Sequence, residues 1–239
     1  VRSGWKPVEK QNKVNHYRFK CMRPVEDKHR HQGLRHKLVD QLKASGISDE
    51  NVLQAIAQVP RHFFLDSAFA EIAYENRSFP IGEGQTISHP YTVAYQTQLL
   101  SIKKYERVLE VGTGSAYQAV VLATLGAQVY TIERQRKLFD SNKQFEWLQK
   151  QTGIKFFYGD GYQGLPTFAP FDKILITAAA PQVPSALLEQ LRPGGWMVVP
   201  VGEGNIQQMR KITKLADGTM SVEIFDEFSF VPMLAGKES

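Results

Sequence analysis

Three carboxylates stand where apolar runs give out: Glu110 after Val108-Leu109, Glu133 after Val129-Tyr130-Thr131-Ile132, and Asp160 beyond Ile154-Lys155-Phe156-Phe157-Tyr158. A carboxylate at a strand end can accept hydrogen bonds from ribose hydroxyls, and Asp160 could accept one from an adenine amino group. Glu133 follows Gly112 at the distance of about twenty residues at which nucleotide folds place such an acid. Glu110 precedes Gly112-Thr113-Gly114, where the first glycine lets the backbone leave a strand sharply and the second lets a ligand approach the main chain. The amides that open the next helix face that ligand, with the positive end of the helix dipole behind them. These residue types in this order suit a nucleoside. The plain alternatives are a glycine turn that only turns, an ordinary exposed acid at Glu133 and a turn cap at Asp160. Pyrophosphate binding is disfavoured, because a dinucleotide motif would place a third glycine where Tyr117 stands.

A second chemical group precedes the first. Gly82-Glu83-Gly84-Gln85-Thr86-Ile87-Ser88-His89-Pro90 is a polar loop with two hydroxyls around one apolar side chain. Lying just upstream of the glycine turn, it is placed to form a wall or lid of the same site. His89 is as much a loop histidine as a substrate contact. No conspicuous His/Asp pair accompanies these hydroxyls. Cys21, His29, His31 and His36 lack the spacing of a closed metal site, so no metal is expected.

The elements that must hold these groups read as an α/β chain. Leu34, Leu38, Val39 and Leu42 mark a helix that stops near Gly46. Ser48-Asp49-Glu50 offers a cap and an acidic first turn to a second helix, which Pro60 ends. After the hydroxyl loop, Val93, Ala94, Leu99 and Leu100 continue with helical spacing. Strands then end at Glu110, Glu133 and Asp160, and Phe171 to Thr177 is a nearly continuous apolar run, as expected at the centre of a parallel sheet. A helix over Ser185–Leu191 is expected to stop at Pro193-Gly194-Gly195, before a strand over Trp196–Val201. Residues 208–215 and 221–230, joined through Asp217-Gly218, read as a closing hairpin.

Composition bounds the rest. The 239 residues are 42% hydrophobic and include no continuous apolar run approaching a membrane span, which needs roughly 20 residues. The single cysteine, Cys21, rules out an internal disulfide and fits a reducing compartment, so a cytoplasmic protein is expected. The net charge of +5 is unevenly placed: residues 1–37 hold 11 Lys/Arg against 3 Asp/Glu, and the remainder 18 against 21. The basic excess belongs to the N-terminal segment, so a solvated arm is expected over residues 1–32 and nucleic-acid binding is not. A single domain is expected over 33–239, with a helical section over 33–104 at its start.

The motifs taken in order resemble the protein-L-isoaspartate (D-aspartate) O-methyltransferase family. They are Val59-Pro60-Arg61-His62-Phe63-Phe64, Gly84-Gln85-Thr86-Ile87-Ser88, the glycine turn, Gly159-Asp160-Gly161, Phe171-Asp172-Lys173-Ile174-Leu175-Ile176-Thr177-Ala178-Ala179-Ala180-Pro181, and Leu191-Arg192-Pro193-Gly194-Gly195. The resemblance covers about residues 33–235. It departs at Ala116, where the Glu/Asp-x-Gly-x-Gly-x-Gly pattern of S-adenosylmethionine-dependent methyltransferases has its third glycine. It implies a Rossmann-like fold, a mostly parallel central sheet with helices on both faces. The implied cofactor is S-adenosyl-L-methionine, leaving S-adenosyl-L-homocysteine, and the implied partners are isoaspartyl peptides and proteins met by a monomer.

The resemblance also assigns roles. Ser88 would be the catalytic residue, orienting the substrate carboxylate; its structural alternative is to cap the helix after Pro90. Thr86, Ile87, Glu110, Gly112, Thr113 and Gly114 would bind the cofactor together with Glu133, Arg134, Asp160 and Gly161. Ile87, His89, Ala179 and Val183 would line the peptide side. Two rival functions stand beside this one: a methyltransferase of the same fold acting on another carboxylate or a small molecule, and a module that binds S-adenosylmethionine or damaged peptides without turnover.

Overall fold

The computed structural model describes residues 25–238. Two helices, α1 (His29–Ala44) and α2 (Glu50–Gln58), lead to a short hairpin of β1 (Phe79–Gly82) and β2 (Gln85–Ile87). The chain then alternates: α3 (Pro90–Leu100), β3 (Arg107–Val111), α4 (Tyr117–Thr124), β4 (Gln128–Glu133), α5 (Arg136–Gln144), α6 (Glu146–Gln149), β5 (Ile154–Tyr158) and β6 (Phe171–Ile176). It closes with α7 (Ser185–Glu189), β7 (Leu191–Val201), β8 (Gln207–Lys214) and β9 (Met220–Phe228). Asp49 caps α2 as its position promised, accepting from the Asn51 and Val52 amides.

Seven strands form one sheet in the order β5-β4-β3-β6-β7-β8-β9. The first five in that order run parallel, and β8 and β9 return antiparallel. Strand alternation divides the interior between the two faces. Val108, Val129, Leu175 and Val198 join the core beneath α1 to α4, whereas Leu109, Ile132, Ile174 and Met197 join a second core closed by Leu187 of α7. Both faces are therefore buried, which explains the near-continuous apolar strands. Strand order reverses between β3 and β6, and in an open α/β sheet the crevice beyond the strand ends at that reversal is where ligands sit.

Two boundaries differ from expectation. The division at residue 33 falls inside α1, and what precedes it is packed: His31 is buried, Asp27 forms a 2.9 Å ion pair with Arg35, and His62 Nε2 lies 3.1 Å from the Glu26 carbonyl. Residues 1–24 of the arm expected over 1–32 lie outside the described residues. β7 likewise begins at Leu191 instead of Trp196, because Leu191 pairs with Phe171 and Trp196 with Lys173, so that Pro193-Gly194-Gly195 bulges within the strand. A Cβ on Gly195 would lie 2.6 Å from the Asp172 carbonyl, so that close crossing needs glycine.

The packed N-terminal edge carries a pH dependence. The Glu26 carbonyl can only accept, so His62 Nε2–H donates to it at 3.1 Å, and Nδ1 of the neutral ring is left to accept at 2.7 Å from the Tyr74 hydroxyl, which itself accepts from Arg35 at 3.1 Å. That pairing suits the neutral imidazole. Burial lowers its pKa below the ordinary 6.5, and nearby His31 and Arg35 act in the same direction against the Glu26 carbonyl and Asp27. A histidine depressed in the folded state contributes stability above its unfolded pKa, and loses it as the pH falls through the folded value. The stability gap between wild type and His62→Gln in urea titrations should therefore shrink from pH 7.5 to pH 5. A gap that stays constant would exclude this linkage.

Candidate active site

The glycine turn is built at the strand reversal. Gly112 leaves β3 with φ 97° and Gly114 follows with φ 52°. A Cβ on Gly112 would lie 2.5 Å from Thr177 Oγ1. That threonine, at the end of β6, donates its hydroxyl to the Val111 and Gly112 carbonyls at 3.0 and 2.8 Å, stitching the two sides of the reversal together. Ala116 then takes the left-handed conformation, φ 72° and ψ 10°, fully buried at the start of α4. The turn therefore keeps the shape a glycine would give it, at the steric cost of a Cβ there. Ala116→Gly should raise stability by about 0.5–1 kcal/mol in urea titrations, the relief of positive φ exceeding the added chain entropy. A lowered midpoint would show that the buried methyl matters more.

Two hollows meet over this turn. The larger, about 630 Å³ and open to solvent, is floored by Gly112, Gly114 and Gly161, walled by Val111, Ile132 and the segment Val231–Leu234, and flanked by Glu133 and Arg134. The smaller, about 390 Å³, is lined by Ile87, Ser88, Val93, Gln96, Thr113, Ser115, Tyr117 and Gln118. Thr86, Gly112, Gly114 and Thr177 line both. Hydroxyls and amides dominate the smaller hollow, and among the described residues no carboxylate, histidine, lysine or arginine lines it.

Glu133 closes the turn from β4. One carboxylate oxygen accepts from the Gly114 amide and the other from the Gln135 amide, each at 2.8 Å. Burial raises its pKa, and those amides pull it back. Glu110 sits beneath, wholly buried, with one oxygen accepting from the Thr131 hydroxyl at 2.5 Å and the other without a partner. Its carboxyl is pushed up to about 8, by burial first and by the charge of Glu133 after the opposing Thr131 hydrogen bond.

The pattern of the sequence and this geometry agree with a wider comparison. The family model for protein-L-isoaspartate(D-aspartate) O-methyltransferase matches residues 33–238. The chain belongs to this family. The protein-L-isoaspartate O-methyltransferase of Flavobacterium psychrophilum is 50% identical over 216 residues, covering 89% of this chain and all of the relative. A solved protein-L-isoaspartate O-methyltransferase superposes with a TM-score of 0.75 at 29% identity, over 83% of this chain and 65% of the other. A family structure from Plasmodium falciparum, in complex with S-adenosyl-L-homocysteine, superposes with a TM-score of 0.72 at 25% identity, over 87% of this chain and 99% of that one.

Among the residues expected to serve an isoaspartate methyltransferase, Thr86, Gly112, Gly114, Glu133, Arg134 and Gly161 converge on the larger hollow, and Ile87, Ser88 and Thr113 on the smaller. The helix-cap alternative for Ser88 does not apply. The N-cap of α3 is His89, no side chain caps it, and the Ser88 hydroxyl has no partner among the described residues. Glu110 lines neither hollow: the pleat of β3 turns it to the side of Val108 and Thr131, beneath the turn. Asp160 lines neither hollow and does what a turn cap does, accepting from the Tyr162 amide, while its second oxygen accepts from Gly236. His89, Ala179 and Val183 also stand off the hollows; Ala179 instead pairs its backbone with Val231 and Met233.

Sequence reading missed Thr177, Gln85 and the wall Val231–Leu234. The wall is fastened by long-range bonds. Tyr162 donates its hydroxyl to the Met233 carbonyl at 3.2 Å, and Arg134 pairs with Glu238 at 3.0 Å. Thr177 had one signal, a hydroxyl ending an apolar strand beside small residues.

Proposed function

We propose that this family member methylates the free carboxylate of L-isoaspartyl residues in damaged proteins and peptides, with the larger hollow holding S-adenosyl-L-methionine and the smaller one the substrate carboxylate. The cofactor fits what is there. A cleft of this size lies in the ordinary range for small ligands. Its floor is glycine where a Cβ on Gly161 would strike Val111 Cγ1 at 2.6 Å, its walls are apolar enough for a flat base, and Glu133 offers an acceptor for ribose hydroxyls. When bound, the cofactor supplies a methyl group on a cationic sulfur.

The observation that carries the reading is the lining of the smaller hollow. A substrate carboxylate is ionised at neutral pH, with an ordinary pKa near 4, so it is a nucleophile without a general base. Among the described residues the hollow is lined by donors and by no general base. Ser88, with its hydroxyl free among the described residues, orients the carboxylate, and Thr86 and Ile87 shape the junction. Catalysis is then positioning with water excluded. The reading without turnover leaned on Ala116, and the retained left-handed turn supports a competent site instead. No described helix is long and apolar enough to cross a membrane. We propose further that the protein acts as a cytoplasmic monomer.

The test is transfer of labelled methyl from S-adenosyl-L-methionine to an isoaspartyl peptide and to its aspartyl twin. Label on the isoaspartyl peptide alone is expected. Equal labelling, or labelling of another carboxylate that the isoaspartyl peptide fails to compete away, would overturn the substrate assignment.

A further inference from the structure

Arg61 touches neither hollow, yet its guanidinium is sealed behind the serine loop. It opens a short 3-10 turn, Arg61–Phe64, and is completely buried. Nε donates to the Ala73 carbonyl at 2.9 Å, and Nη2 donates to the carbonyls of Arg77 at 3.3 Å and Ser88 at 2.8 Å. Nη1 has no acceptor. The guanidinium carbon stands 5.0 Å from the centre of the Tyr117 ring, whose buried hydroxyl makes no hydrogen bond of good geometry among the described residues and interacts with Arg61. No carboxylate forms an ion pair with Arg61 among the described residues. Burial lowers its pKa to about 10, which leaves it charged at neutral pH.

An unpaired buried cation is costly, and chains break such local rules mainly where function gains from it. Here the charge is separated from the smaller hollow by the Ser88 backbone and the Tyr117 ring, both of which line it. That separation matters because the carboxylate loses its charge as it becomes an ester. A cation in contact would stabilise the starting anion more than the transition state. One layer back, it draws the anion in through a low-dielectric wall and leaves the reacting oxygen to the serine hydroxyl.

We propose that Arg61 is the positioning residue of the carboxylate subsite, fixing the Ser88 main chain and making the hollow select an anionic group over its neutral isostere. This rests on the assignment of the smaller hollow made above. In Arg61→Met the KM for an isoaspartyl peptide should rise roughly 10- to 150-fold, the range for a lost charged interaction, while calorimetric affinity for S-adenosyl-L-homocysteine stays within about twofold. Arg61→Lys should recover part of the KM rise, since charge returns without the fork. A lowered melting temperature with KM unchanged in both variants would overturn the proposal alone. If neither variant folds, the wild-type complex with S-adenosyl-L-homocysteine decides by calorimetry. The isoaspartyl peptide should bind at least about tenfold tighter than the same peptide with a carboxamide, by the same arithmetic, and equal binding would overturn the proposal. Wild-type protein that transfers no methyl would overturn the assignment of the hollow and this proposal with it.

Discussion

Ser88→Ala should lower methyl transfer by roughly 10- to 1000-fold, because on the proposed reading it removes the hydroxyl that holds the carboxylate in line at a site that works by geometry. The structure makes the expected partition sharp. The Ser88 hydroxyl has no partner among the described residues, and α3 is not capped by a side chain, so alanine breaks no bond of the fold. The Ser88 carbonyl keeps its Arg61 donor. Melting temperature and affinity for S-adenosyl-L-homocysteine should therefore stay close to wild type. Full activity with a lowered melting temperature would reject the role; lost activity in a protein with an unchanged melting curve would leave positioning as its cause.

Glu133→Ala should weaken S-adenosyl-L-methionine binding by about 1.5–3 kcal/mol, the range for hydrogen bonds to a charged group, or roughly 10- to 150-fold in affinity. It should also cost stability, since the amides of Gly114 and Gln135 lose their shared acceptor and neither is free to turn away. Leaving a buried donor unpaired costs about 1–3 kcal/mol. Glu133→Gln separates the two effects, because its carbonyl can still accept from one amide while its NH2 opposes the other. Calorimetry on a folded Glu133→Ala protein that returned wild-type affinity would remove Glu133 from the cofactor site. The carboxylate that steadies the turn is thus the one proposed to receive the ribose, which is why its loss is expected to show in both stability and affinity.

Local patterns made much of this legible. β-branched runs announced β3, β4 and β6, the capping sequence at Asp49 announced α2, and positive-φ glycines in the turn followed from its type. What stayed hidden depended on the pleat or on distant contacts. Glu110 was read as a ligand group from its place beside the turn, but alternation along β3 sends it inward with Val108, opposite Thr131. Asp160 offered both of its readings, and only the position of Gly236 shows what its second oxygen holds. The wall Val231–Leu234 has no period at all. It is defined by Tyr162, Ala179 and Asp160, tens of residues earlier, which no local rule connects to it.

That wall has a consequence for how the molecule comes into being. A ribosome releases a chain from its N-terminal end, and early segments begin to fold first. The nine strands of the described residues are complete at Phe228, whereas the larger hollow still lacks Val231–Leu234 and the bonds that pin them. A nascent or stalled chain can thus possess the entire described sheet and its serine while the larger hollow stands without one of its walls.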